Sequence, residues 1–163
     1  MAEREILFRG QTRRKNEWAK MPSSNWVYGG IFVPEDNLNF AIIIAQQENT
    51  VEKHSVYGDT VGQYTGLTDK NGVKIFEGDI VRYGDTIHKV VFEQRNDTAY
   101  FGLVYSEVET MPFGHYQDLT QIEVIGNIYD DPELLEIAAK PADKNIAQSG
   151  LAPATENFEL MEG

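Results

Sequence analysis

The chain has 163 residues, no cysteine and a formal net charge of −12 at pH 7. This length suits one domain or two small subdomains, and the lack of cysteine excludes disulfides, thiolate catalysis and cysteine-ligated metal sites. The acidic balance disfavours nucleic acid as a partner, because nucleic-acid binding needs basic residues that neutralise phosphates. The first residues lack the apolar core of a signal peptide and no apolar run is long enough to span a bilayer, so we expect a cytoplasmic protein without membrane contact.

The charge is unevenly distributed. Residues 1–20 hold six of the fourteen basic residues and three acids, which leaves eight basic and 23 acidic residues, a net of −15, on residues 21–163. The basic run Arg13, Arg14 and Lys15 is a candidate contact for an anion or for an acidic patch on a partner. A solvated loop is the alternative interpretation of such a run.

Strand patterns dominate the first sixty residues. Alternation predicts a strand over Glu3–Arg9 and a second over Asn25–Val33, bent or bulged at Gly29-Gly30, where backbones can approach closely. The unbroken apolar run Phe40–Ile44 predicts a strand buried on both faces, and a mixed strand follows over Val51–Tyr57.

The stretch Val61–Tyr83 carries the strongest turn signals. Asn71-Gly72 tolerates positive φ and predicts a hairpin, and Glu77-Gly78-Asp79 predicts a turn into the β-rich run Ile80–Tyr83, as at the entry to small SH3-like barrels. The acids around the hairpin resemble half of a calcium loop. However, Leu67 stands where the first ligand belongs, so we favour a plain turn.

The rest of the chain predicts more strands and then a helix. Three runs have strand character: Ile87–Glu93, Thr98–Tyr105 and Ile122–Tyr129. Residues 107–118 are predicted to form a loop. A short helix is predicted to begin at Pro132, since Asp130 and Asp131 can cap it.

These patterns together predict a mainly β fold. We expect small barrel-like (SH3-like) subdomains of antiparallel strands, with one short C-terminal helix. The predicted units are an N-terminal β subdomain with a basic loop over residues 1–60, a barrel-like subdomain with the helix over 61–137, and a linker-like tail over 138–163.

No catalytic or metal-binding constellation is visible, and no cofactor is predicted. No paired metal-ligand spacing joins the three histidines, His54, His88 and His115. A strand position makes His88 a packed or surface residue. Asp85, Glu93 and Arg95 resemble an Asp…Glu-x-Lys nuclease site, but arginine cannot be deprotonated to help activate a water.

Aromatic side chains are the remaining resource for binding. Most of them belong in a core, and a few left exposed would make an interface. Phe113, His115 and Tyr116, in the predicted loop, are candidate binding residues. Exposed edge strands also favour self-association into a homo-oligomer.

Several blocks of sequence resemble the YopX family of phage and prophage proteins. They are Arg4–Gly10, Trp26–Gly29, Gln63–Gly72, Phe76–Val81, Glu123–Asp130 and Pro132–Leu135. The resemblance implies a mostly β protein with barrel-like subdomains, encoded by a phage genome and without an established activity. It supplies no catalytic residues.

The sequence thus predicts a prophage-encoded accessory protein in the host cytoplasm that acts by protein binding or self-assembly rather than catalysis. Its partner would be itself or a host or phage protein. One alternative is an acidic DNA mimic that inhibits a host nucleic-acid enzyme, motivated by the charge of residues 21–163. A second is a divalent-metal-dependent hydrolase that uses Asp85 and Glu93.

Overall fold

The structure is a computed structural model, and it describes residues 5–13, 25–35, 39–95, 97–107, 109–114 and 118–139, with residues 137–139 described by their backbone alone. Within these residues the chain forms two antiparallel sheets and one short helix. The predicted mainly β fold is therefore confirmed. No helix in the described part of the chain has the length and apolar character needed to cross a membrane.

The first sheet has six strands in the order β4-β3-β2-β1-β5-β6. Their bounds are Phe8–Gln11 (β1), Trp26–Phe32 (β2), Phe40–Gln47 (β3), Thr50–Tyr57 (β4), Gly62–Thr68 (β5) and Lys74–Phe76 (β6). A 3₁₀ turn over Gly58–Thr60 joins β4 to β5. β1 pairs with β5, so one sheet contains residues from both sides of the subdomain boundary predicted between residues 60 and 61. The division into two subdomains stays a prediction.

The second sheet has five strands in the order β10-β9-β8-β7-β11. Their bounds are Asp79–Tyr83 (β7), Thr86–Arg95 (β8), Thr98–Ser106 (β9), Glu109–Pro112 (β10) and Ile122–Asn127 (β11). A 3₁₀ turn over Leu119–Gln121 precedes β11, and the helix α1 covers Glu133–Ala139. The helix begins one residue after Pro132, which suits the helix-starting role predicted for that proline.

The first sheet curls so that the chain at the end of β1 also contacts β4. Thr12 forms an isolated bridge with Val56, and the N–H of Arg13 donates to the carbonyl of Ser55 over 3.0 Å. A separate close backbone approach, between β2 and β3, needs glycine because a Cβ on Gly29 would overlap the carbonyl oxygen of Ile44. The close approach predicted at Gly29-Gly30 is therefore confirmed at Gly29 but not at Gly30, and the strand pairs of β2 show no bulge there. The curl gives this sheet its barrel-like shape although the strand order stays open.

Two hydrophobic clusters form the core. The first lies inside the curled sheet and contains Ala41, Ile43 and Val56. The second contains Ile75, Val81, Val90, Leu103 and Ile122. Because Ile75 belongs to β6 of the first sheet and the others to the second sheet, this cluster also fastens the two sheets together.

Several sequence expectations need correction. The first strand begins at Phe8 instead of Glu3, because its pairing with β2 starts there and runs to Gln11. The segment predicted as a loop over 107–118 contains β10, which pairs with β9. The pairing includes a register shift, so the alternation of apolar and polar residues does not identify this strand. The run Phe40–Ile44 is fully buried on one face only; its other face is half-buried.

Candidate functional site: an exposed apolar face of the first sheet

The first sheet presents apolar side chains to solvent on one face. Residues opposite each other in paired strands share a face, and the register places Phe32 opposite Ile42 and Phe40 opposite Tyr57. We call this surface the outer face, and its apolar members are Tyr28, Phe32, Phe40, Ile42, Ile44, Val51 and Tyr57.

The exposure of this face is unusual for such side chains. The exposed fractions are 63% for Val51, 56% for Phe32, 46% for Tyr28 and 44% for Tyr57. Single exposed apolar residues are common on protein surfaces, but neighbouring ones on three adjacent strands mark an interaction surface.

Basic side chains border the outer face. The guanidinium of Arg13 lies 5.5 Å from the ring centroid of Phe40 and 5.7 Å from that of Tyr57, within range of cation–π attraction. Lys53 is opposite Ile44 and is exposed, so it belongs to the same face. The structure thus places the candidate Arg13 beside an aromatic pair, whereas the candidates Arg14 and Lys15 lie outside the described residues.

The same face of the sheet is covered at its other end. Arg9 of β1 lies opposite Tyr28 of β2 and is only 6% exposed. Its guanidinium lies 4.8 Å from the ring centroid of Trp26 and 4.9 Å from that of Phe76. Its Nη2 is 2.6 Å from the carboxylate of Asp79 in the second sheet. The exposed apolar side chains of this face therefore lie on β2 and β4, with half-buried ones on β3 between them.

The Arg9–Asp79 ion pair links the first sheet to the second. Asp79 also accepts a 2.7 Å hydrogen bond from the N–H of Phe76, and Arg9 donates to the carbonyl of Glu77 over 3.2 Å. Burial raises the pKa of the Asp79 carboxyl, and the nearby guanidinium and the N–H oppose that rise. A charge this enclosed fits a role in joining the sheets.

A second polar joint forms around Asp130. Its carboxylate accepts hydrogen bonds from Trp26 Nε1 at 2.6 Å, from Gln11 Nε2 at 2.9 Å and from Asn127 Nδ2 at 2.9 Å. Partial burial acts to raise the pKa of Asp130, but the side-chain donors outweigh it and hold that pKa below its usual value. Asp130 thus joins the loop after β11 to the first sheet.

The acids that resembled a calcium loop have a structural role as well. Asp69 accepts from the N–H groups of Asn71 at 2.8 Å, Val73 at 2.9 Å and Val124 at 3.0 Å. Burial acts to raise the pKa of Asp69, but the three N–H groups outweigh it and hold the pKa below its usual value. Its oxygens are thus engaged by the hairpin and by β11, which supports the plain-turn interpretation.

The structure does not bring the hydrolase candidates together. Asp85 lies in the turn before β8 and Glu93 near the end of that strand, roughly 25 Å apart at about 3.3 Å per residue. Glu93 accepts a hydrogen bond from Arg95 Nε at 3.2 Å. In the described part of the chain, no group of three or more histidine or acidic side chains is placed to hold a metal ion.

The remaining candidates have other surroundings. His88 is buried, with Nδ1 3.0 Å from the carbonyl of Val104 and Nε2 2.7 Å from the Thr86 hydroxyl. Of the two placements predicted for it, packed or surface, the structure shows the packed one. Phe113 is half-buried against the second core cluster, and its role in binding stays a prediction. His115 and Tyr116 lie outside the described residues.

Sequence reasoning missed the outer face although a signal was present. The run Phe40–Ile44 is apolar at every position, which indicates two apolar faces and was interpreted as two buried ones. Tyr28 and Phe32 repeat the same face in β2 at even spacing. Sequence periodicity identifies the faces of a strand, but it does not say what covers each of them.

Comparisons with known proteins identify relatives without assigning an activity. The family model described as YopX protein matches residues 8–136. Among solved structures the chain is similar to protein EF1440 from Enterococcus faecalis, with 23% identity and a TM-score of 0.46, over 82% of this chain and 99% of that one. A comparison with curated proteins gives no match.

Proposed function

This chain belongs to the YopX family, and we propose that it acts by binding another protein through the outer face rather than by catalysis. The observation that carries this proposal is the exposure of Tyr28, Phe32, Val51 and Tyr57 on neighbouring strands. Removing such side chains from water contributes about 25 cal/mol per Å² of apolar surface, which favours association. We further propose that the protein is a prophage-encoded accessory factor of the host cytoplasm.

The chemistry of the outer face defines the kind of partner. Its apolar centre calls for an apolar patch on the partner, and Arg13 and Lys53 call for carboxylates at the rim. A second copy of this chain is the first partner to test, because its acidic surface supplies carboxylates and its own outer face supplies apolar area. A host or phage protein with the same features is the other form of this proposal.

Two substitutions of exposed residues test the proposal with little risk to folding. Phe32→Ser and Val51→Ser each remove a largely exposed side chain from the outer face. Ile6→Ser is the matched control, because Ile6 is 68% exposed and does not belong to this face. Circular dichroism and thermal melting establish that all three variants fold.

Molar mass by light scattering over a concentration series measures self-association, and affinity capture from nuclease-treated host lysate measures other partners. We expect the wild type and Ile6→Ser to form the same complex, and both outer-face variants to lose it. Equal complex formation by all four proteins would contradict the proposal.

The acidic DNA mimic is the second candidate function. The observation that favours it is the net charge of −15 on residues 21–163, from eight basic and 23 acidic residues. Electrostatic association weakens steeply with salt, whereas apolar association does not. A captured complex that dissociates between low and physiological salt, and is unaffected by Phe32→Ser, would favour the DNA mimic over the outer face.

A further inference from the structure

A groove opens where the two sheets meet at their edges. Its volume is about 510 Å³, and it lies between β6, an edge strand of the first sheet, and β11, an edge strand of the second. This volume lies in the range of small-molecule sites, which are commonly found at junctions between structural units. The groove is formed by described residues throughout.

The groove combines apolar walls with a cationic side. Leu7, Val73, Phe76 and Val124 supply apolar surface, and the side chains of Arg9 and Lys74 supply positive charge. Binding sites for small organic molecules have this composition, with a mostly apolar lining and a few polar groups that orient the ligand.

Arg9 has a hydrogen-bonding group that the protein leaves unused. Its Nη2 contacts Asp79 and the carbonyl of Glu77, but its Nε, which is fully buried, has no acceptor among the described residues. Buried polar groups without partners are rare in proteins, so this guanidinium retains hydrogen-bonding capacity that its contacts within the protein do not use. Nε itself is enclosed by protein, but Arg9 lines the groove, so a carboxylate bound there would lie beside this guanidinium.

Lys74 is held beside the groove by an ion pair. Its Nζ lies 2.6 and 2.7 Å from the two carboxylate oxygens of Glu5, and both side chains are about half exposed. Exposed ion pairs contribute little to stability and exchange readily with other partners. The Glu5 carboxylate therefore competes with a ligand anion for Lys74, and the anion has to displace Glu5 in order to bind the lysine.

From these contacts we infer that the groove binds a carboxylate carried on an apolar body, such as an aryl-substituted acetate or a chain terminus with an apolar side chain. The apolar body would contact Val73, Phe76 and Val124, and the carboxylate would contact Lys74 and the guanidinium side of Arg9. A singly charged group suits the groove better than a phosphate dianion, because Asp79 also lines it.

The test compares the ligand affinities of two variants, each of which removes one partner of the Lys74–Glu5 ion pair. Lys74→Gln and Glu5→Gln both break the same salt bridge, so a purely structural role predicts the same change in both variants. Binding at the groove predicts opposite changes: affinity falls about fivefold when the lysine is lost and rises by a similar factor when its competitor is neutralised.

Calorimetric titration of the full chain with indole-3-acetate measures these affinities. Acetate, which lacks the apolar body, and tryptophol, which lacks the carboxylate, are the matched probes and should bind much more weakly. A peptide that ends in phenylalanine, with a free or an amidated terminus, distinguishes a chain terminus from a free acid as the ligand. Val73→Trp, which fills the groove from an exposed position, should abolish binding at an unchanged melting temperature.

The inference is overturned if none of these carboxylates binds saturably at millimolar concentration, or if Lys74→Gln and Glu5→Gln shift the affinity in the same direction. Tryptophol binding as tightly as indole-3-acetate would also overturn it. The outer-face variants Phe32→Ser and Val51→Ser should bind the acid as the wild type does, so this result and the proposed function fail or succeed separately.

Discussion

Replacing Asp69 by asparagine tests whether a buried carboxylate holds the central hairpin. Asp69 is 5% exposed and accepts three backbone hydrogen bonds, two on Oδ1 from Asn71 and Val73 and one on Oδ2 from Val124. Asparagine keeps one acceptor oxygen but turns an N–H₂ group toward the third N–H. The substitution therefore removes the charge and replaces one hydrogen bond with a clash between donors.

The expected loss follows from the geometry of these bonds. Hydrogen bonds to a charged group contribute about 1.5–3 kcal/mol each, and an unsatisfied buried N–H costs about 1–3 kcal/mol. Because the three bonds share one carboxylate, their contributions do not add. We expect Asp69→Asn to lower the free energy of unfolding by about 2–4 kcal/mol, a large part of the stability of a small domain.

The pH dependence supplies an independent check. The pKa of Asp69 is lower in the folded than in the unfolded chain, so its stabilisation is complete above the unfolded pKa of about 4 and is lost as the pH falls through the folded pKa. Asparagine does not titrate. The difference in stability between wild type and Asp69→Asn should therefore be constant near neutral pH and narrow as the pH falls below about 4.

Urea unfolding at a series of pH values from 7 to about 3 measures both effects. Asp118→Asn is the matched control, because hydrogen bonds from Thr120 and Gln121 also lower the pKa of Asp118, which is exposed. The control should lose much less stability than Asp69→Asn. Equal losses in the two variants, or a difference that does not narrow with acid, would refute the proposed role of Asp69.

Two further substitutions test the ion pair that links the sheets and the close approach of β2 to β3 in the first sheet. Arg9→Met leaves the carboxylate of Asp79 buried without its cation and should cost about 3–5 kcal/mol in urea unfolding, and a cost below about 1 kcal/mol would contradict the joint. Gly29→Ala should cost about 2 kcal/mol or more, because its Cβ would meet the carbonyl of Ile44 at 2.1 Å. Gly30→Ala is its control and should change stability little, since nothing lies within 4 Å of the added Cβ. Equal effects at the two glycines would argue against the close approach of β2 to β3.

The elements whose signals are local were predictable. The hairpin at Asn71-Gly72 depends on residues adjacent in the chain, and the structure confirms it, with Gly72 at a φ of +80°. The strands β2 and β4 follow their predicted bounds to within a residue for the same reason. β10 was missed because its residues have weak strand character, and it forms only where β9 offers an edge for pairing.

The candidate site was much less predictable. Arg13 was identified from charge, but its contact with Phe40 and Tyr57 depends on the return of β1 toward β4 across more than forty residues. The pairing of Arg9 with Asp79 joins positions seventy residues apart, and neither residue has a local pattern that predicts its partner.

The sequence by itself determined the mainly β class and the turns, because hydrophobic alternation and turn residues act over a few neighbouring positions. The family followed from the resemblance of its sequence blocks. Tertiary structure alone decided which face of each strand is covered. Phe32 and Trp26 belong to the same face of β2, yet Trp26 is 7% exposed and Phe32 is 56% exposed. Tyr129 and Asp130, in the loop after β11, pack against Trp26 at one end of the strand. Burial depends on what packs against a face, and that partner comes from a distant part of the chain.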